Sequence, residues 1–122
     1  MSNSPTSPAM SQPSADLGAQ AHTAPIFAAL GDATRLALVD RLSADGPQSI
    51  TRLAAGSVIT RQAITKHLTV LAAAGIVHDV RRGRERIWAL EADRFAEARR
   101  YLEHISQRWD EALARLKVFV EE

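Results

Sequence analysis

Arg61-Gln62-Ala63-Ile64-Thr65-Lys66-His67-Leu68-Thr69-Val70-Leu71-Ala72-Ala73-Ala74-Gly75 is the stretch on which the fold turns. Ile64, Leu68 and Leu71 recur at i, i+4 and i+7, the signature of one buried face of an α-helix. Arg61, Gln62, Thr65, Lys66 and Thr69 fall on the opposite face, so the helix has an apolar back and a hydrogen-bonding front. Thr60 stands at the N-cap position, although Ala63 in place of Glu or Gln leaves the capping box incomplete. Gly75 closes the helix at about Ala74.

Upstream, Ser49 caps a short helix over roughly 50–55 that Gly56 terminates. Before it, Asp32 caps a helix whose apolar stripe is Leu36, Val39 and Leu42, with Leu38 beside them, and Asp45-Gly46-Pro47 ends it. Ile26-Phe27-Ala28-Ala29-Leu30 reads as a short helix opened by Pro25 and stopped by Gly31. Residues 1–24 are rich in Ser, Pro, Ala and Gln and show no apolar period, so a disordered tail with an inert His22 is expected there. The folded domain is expected over 25–122.

Downstream of Gly75 the period changes to two. Ile76–Val80 and Arg86–Leu90 read as strands flanking Arg81-Arg82-Gly83-Arg84-Glu85, a hairpin with a cationic tip turned by Gly83. From Ala92 to about Val120 a single helix carries Phe95, Ala98, Leu102, Ile105, Trp109, Ala112, Leu116 and Phe119 at alternating spacings of three and four. That heptad seam outlasts the domain it belongs to and implies a partner helix, most simply that of a second chain.

The 122 residues carry a net charge of +1, which hides a marked asymmetry. Segment 50–88 has seven Lys and Arg against two acidic residues, whereas 89–122 has six against eight. A basic middle suits a polyanion and an acidic end suits a protein. The chain has no cysteine, which removes disulfides, thiolate metal sites and thiol catalysis together. No apolar run reaches the ~20 residues of a membrane span, and no signal-peptide pattern opens the chain, so a cytoplasmic location is expected. No G-x-S-x-G, glycine-rich phosphate loop or H-E-x-x-H occurs, and no enzymatic activity is expected.

Two helices joined through a glycine turn, the second polar in front, followed by a basic hairpin, make the pattern of a winged helix-turn-helix. The expected architecture is mainly α with a small β-hairpin, in the order α-α-α-α-β-β-α. Gln62 suits adenine, Arg61 and Lys66 suit guanine or phosphate, and Thr65 and Thr69 suit a phosphate or a thymine methyl. Arg81, Arg82 and Arg84 suit backbone or minor groove beside them, and Arg52 a phosphate. His67 adjoins the buried side of its helix and reads as a structural hydrogen-bonding residue, and Arg35 as an anchor to an internal carboxylate or carbonyl.

Ala29-Leu30-Gly31-Asp32-Ala33-Thr34-Arg35, then 61–77 with Lys66-His67-Leu68 and Ala74-Gly75-Ile76-Val77, then Arg82-Gly83-Arg84, resemble the ArsR/SmtB-type transcriptional regulators. The resemblance spans about 26–120. It implies a homodimeric repressor that reads double-stranded DNA with the helix at 61–74 and the wing at 81–85 and dimerises through its terminal helices. Phe27, Leu30, Leu102, Ile105, Trp109 and Leu116 are the residues expected at that interface. Metal-sensing members place a Cys-x-Cys pair near the helix equivalent to 50–55, which this chain lacks. Others use a set on the final helix, where this chain has only His104 with Glu97 and Glu111 seven residues away on either side. The resemblance is therefore to the metal-independent branch, with no metal or other cofactor expected. The resemblance leaves room for a small-molecule inducer of unknown identity as a further partner. The competing reading is a protein-interaction module that uses the C-terminal helix without specific DNA binding.

Overall fold

The computed structural model describes the backbone of residues 8–121 and the side chains of residues 18 and 20–121. Five helices and three short strands follow in the order α1 (Pro8–Leu30), α2 (Ala33–Asp45), β1 (Gln48–Ser49), α3 (Ile50–Ala54), α4 (Arg61–Ala73), β2 (Val77–Arg82), β3 (Glu85–Leu90) and α5 (Ala92–Glu121). The expected caps form: Asp32 Oδ1 accepts from Arg35 N at 3.0 Å, Ser49 Oγ from Arg52 N at 3.2 Å and Thr60 Oγ1 from Ala63 N at 3.1 Å. Gly46 and Gly75, both at φ 78°, reverse the chain after α2 and α4. Beyond Gly75, Ile76 N bonds back to Leu71 O at 3.0 Å, which satisfies a carbonyl of the last turn of α4.

Three expectations about the elements need correction. α1 does not start at Pro25 but runs through it from Pro8, so residues 8–24 are helical rather than a disordered tail, while 1–7 lie outside the described residues. The reason is tertiary. Thr23 and Ile26 are buried, and His22 meets α5, so packing carries the helix across a residue that cannot donate a backbone hydrogen bond. Second, Gln48–Ser49 pairs with β3 (Gln48↔Trp88, Ser49↔Ile87), giving a three-stranded antiparallel sheet of order β1-β3-β2 instead of a lone hairpin. Two residues with one side covered by β3 carry no period for sequence reading to detect. Third, Leu36 is 53% exposed, and the buried stripe of α2 is Leu38, Val39 and Leu42. Leu38 and Leu42 lie one turn apart with Val39 between them, whereas Leu36 sits at the edge of that face.

The core is one cluster. Ile26 and Ala29 of α1 meet Leu38, Val39 and Leu42 of α2, Leu53 of α3, Ile64, Leu68 and Leu71 of α4, Ile76 before β2, Val77 of β2, Trp88 of β3 and Ala98 of α5. It is small in aromatic content, and Trp88 is its largest fully buried side chain. The core fixes α4 by its back and leaves its front open. Arg35 Nε donates to Ala29 O at 2.6 Å, tying α2 to the end of α1 as its sequence position suggested.

α5 is 30 residues, about 45 Å at ~1.5 Å per residue. Its first half packs on the domain: Ala98 is buried, and Tyr101 meets Phe27 with ring centroids 6.1 Å apart. Every residue from Ser106 to Glu121 is exposed, Trp109, Leu113, Leu116 and Phe119 among them. No helix of the described residues is long and apolar enough to cross a membrane.

Candidate nucleic-acid interface

The front of α4 carries the expected side chains. Arg61, Gln62, Lys66 and Thr69 are exposed and Thr65 is half-buried, while Ile64, Leu68 and Leu71 hold the back of the helix in the core. The threonines are more constrained than their spacing suggests. Thr65 Oγ1 donates to Arg61 O and Thr69 Oγ1 to Thr65 O, both at 2.9 Å. With the hydroxyl protons committed to carbonyls one turn back, both side chains offer acceptor lone pairs and a methyl group rather than a donor. His67 is half-buried and makes no hydrogen bond among the described residues, so the expected structural hydrogen bond is absent. The hydrogen bond from the backbone N–H of Arg35 is the main cause that lowers the Asp32 carboxyl below the usual value.

The wing is built differently from the expected 81–85 loop. Register pairs Arg82 with Glu85, so the loop is only Gly83-Arg84, and Arg81 and Arg82 belong to β2. Gly83 takes φ 63° while Arg84 keeps negative φ, the arrangement of a two-residue hairpin turn with glycine first. Strand alternation then splits the cations between the two sheet faces. Arg81, opposite Arg86, shares a cleft of about 270 Å³ with Arg61 and Arg84, walled by Ser49, Ile50 and Thr51. Arg82 lies on the other face, where it lines a second cleft with Arg52, Thr51 and Ile87. The nine expected DNA-contacting residues therefore form three groups: the α4 front, the Arg61–Arg81–Arg84 notch and the Arg52–Arg82 edge.

Arg86 belongs to the notch and was missing from that set. Its Nε donates to Asp79 Oδ2 at 2.8 Å, and its guanidinium carbon lies 5.0 Å from the centroid of the Trp88 ring. The Arg86 hydrogen bond is the main cause that holds the Asp79 carboxyl below its ordinary value. The signal was available in the sequence: residues 81 and 86 pair once the turn is reduced to two residues, which puts Arg86 on the cationic face. Nothing in the apolar pattern demands that register.

Phe27, Leu30 and Ile105 are half-buried within their own chain, while Leu102, Trp109 and Leu116 are more than half exposed. The six expected interface residues thus divide into a shielded group near the α1–α5 contact and an open group along α5. Among the described residues no cluster of three or more His, Cys, Asp or Glu side chains could hold a metal ion.

Residues 30–80 match the family model of a helix-turn-helix domain. The chain is 38% identical over 85 residues to the HTH-type transcriptional regulator Rv2034 of Mycobacterium tuberculosis, covering 70% of this chain and 76% of that one. An ArsR-like transcriptional regulator from Rhodococcus sp. RHA1 superposes with a TM-score of 0.69 at 39% identity, over 82% of this chain and 93% of that one. The fold is also that of the homodimeric winged helix-turn-helix domain of Mb0332 from Mycobacterium bovis, at TM-score 0.59 and 21% identity, covering 82% of this chain and 89% of that one.

Proposed function

Since the chain belongs to the ArsR family of helix-turn-helix transcriptional regulators, we propose that it acts as a homodimeric repressor reading a two-fold symmetric operator. The observation that carries this reading is the clustering of Arg61, Arg81, Arg84 and Arg86 around one cleft at the open end of α4. In it α4 enters the major groove and presents Gln62 and Lys66 to base edges. Thr65 and Thr69 supply acceptors and methyl groups. The notch receives the phosphate backbone flanking the groove, and Arg82 with Arg52 takes the backbone on the other side of the wing. Asp79 neutralises Arg86 and Glu85 also lines the cleft, so Arg61, Arg81 and Arg84 leave it with excess positive charge, which a phosphate row would meet.

Dimerisation supports the same reading. Trp109, Leu113, Leu116 and Phe119 expose a broad apolar face on a helix that has left its own domain, and the Mb0332 domain of the same fold is homodimeric. A second α5 covers that face and places two copies of α4 on one side of the dimer. Successive major grooves on one face of DNA lie about 34 Å apart, so the operator is expected to be a palindrome with half-sites one turn apart. Repression follows from occupancy of such a site over a promoter, with the protein in the cytoplasm beside its DNA.

Footprinting on the DNA around the gene for this chain tests the proposal. Two protected half-sites of inverted sequence, separated by about one helical turn, are expected. A single asymmetric footprint, or none, contradicts it, and the second outcome favours an interaction module instead.

A further inference from the structure

Arg94 holds together the three parts of the molecule that the proposed function needs to act as one. Its Nε and Nη2 donate to the carbonyl of Ala74, the C-cap of α4, at 3.2 and 3.1 Å. Its Nη1 donates to Glu97 Oε1 of its own helix at 3.0 Å. On the other side it reaches α1, where Nη2 donates to His22 O at 3.4 Å and Nη1 lies 3.2 Å from His22 Nε2. His22 Nε2 is in turn 2.7 Å from Glu97 Oε2. One guanidinium thus meets the end of α4, the start of α5 and the middle of α1. His22, expected to be inert, is part of the contact.

Two further observations show that this placement serves α4 rather than α5. α4 has no basic residue in its own last turn, where a cation is stabilising, so its terminal carbonyl charge is met only from outside. Arg94 is the third residue of α5, where a cation opposes the dipole of its own helix. The side chain therefore sits at the unfavourable end of one helix to complete the other. Close approach is secured by Gly75, where a Cβ would come within 3.1 Å of Arg94 Nε.

Resting on the DNA-reading function proposed above, we infer that Arg94 is a positioning residue for operator recognition. It couples the α1–α5 layer to the angle of α4 without touching DNA. A shift of α1 or α5 is transmitted to the far end of α4 through the Ala74 carbonyl. His22 supplies two alternative settings of the junction. As the Nδ1–H tautomer its Nε2 accepts from Arg94, and as the Nε2–H tautomer it donates to Glu97.

Arg94→Met keeps much of the side-chain volume and removes every hydrogen bond. In the folded dimer it is expected to weaken binding to the footprinted site about tenfold, with the salt dependence of binding unchanged, and Arg94→Lys is expected to recover part of the loss. In the free protein, amide hydrogen exchange is expected to quicken together at the last turn of α4 and around His22. Unchanged affinity in folded Arg94→Met overturns the inference, as does a flattened salt slope, which would make Arg94 a phosphate contact. Faster exchange at α4 alone overturns it too, because that is a local cap. If wild-type protein binds no DNA, the DNA-reading function fails, and the exchange experiment still decides the coupling. Should Arg94→Met not fold, Glu97→Ala and His22→Ala each remove one side-chain partner of Arg94 and carry the same measurements.

Discussion

Asp79 and Arg86 lock the wing across its two strands, Oδ2 to Nε at 2.8 Å on the cationic face of the sheet. The contact aims a guanidinium that would otherwise swing free and lays it over Trp88, at the edge of the core. Because the carboxylate accepts that hydrogen bond, its pKa lies below the ordinary value. A carboxyl depressed in the folded state contributes stability above its unfolded pKa, and the contribution fades as pH falls through the lowered folded value. The Arg86 Nε–H resonance is therefore expected to hold steady from about pH 7 to about pH 5 and to shift only in stronger acid. Asp79→Asn should abolish that acid transition and weaken DNA binding modestly at neutral pH. A transition that survives in Asp79→Asn contradicts the assignment.

The dimer seam makes a prediction of its own. Leu102→Glu combined with Trp109→Glu puts two carboxylates on the exposed apolar face of α5. Sedimentation should show a monomer or an unfolded chain, since a shared core is lost with the interface. A stable dimer from this double variant removes α5 as the interface.

Capping and core packing of α4 can be separated by stability measurements. The Thr60 hydroxyl accepts a single backbone hydrogen bond, from Ala63 N, so Thr60→Ala should cost about 1 kcal/mol in denaturant unfolding. Leu68 is fully buried, and Leu68→Ala should cost about 2–5 kcal/mol. Equal losses from the two would mean that α4 is not held by its apolar back.

Gly75 is expected to resist substitution for two reasons that act together. Its φ of 78° strains any side chain, and a Cβ there crowds Arg94. Gly75→Ala should lower the melting temperature and weaken DNA binding, whereas Gly83→Ala, with φ 63° but open space around it, should lower stability through the wing turn alone. The reverse ranking for DNA binding would argue against the Arg94 junction.

Much of this molecule could be read before its structure because its helices announce themselves. Ile64, Leu68 and Leu71 set the orientation of α4, and Asp32, Ser49 and Thr60 cap as their chemistry requires. Illegible features depend on contacts distant in sequence. β1 exists only because β3 pairs with it, and α1 crosses Pro25 only because Thr23 and Ile26 are buried in the packed domain. The division of the arginines into notch and edge depends on strand register, which the apolar pattern leaves free by one residue on each side of Gly83. The Arg94 junction joins residues 72 apart in sequence, and no local pattern could point to it.

The most direct test of the account is the salt dependence of affinity for the footprinted site, measured by fluorescence anisotropy for wild type and for Arg81→Ala with Arg84→Ala. Phosphate contacts release counterions, so wild-type affinity should fall steeply with salt and the double variant should reduce the log–log slope by about 2. Affinity that is insensitive to salt in the wild type, or a slope unchanged by removing both arginines, would contradict the reading of α4 and the wing as a DNA interface.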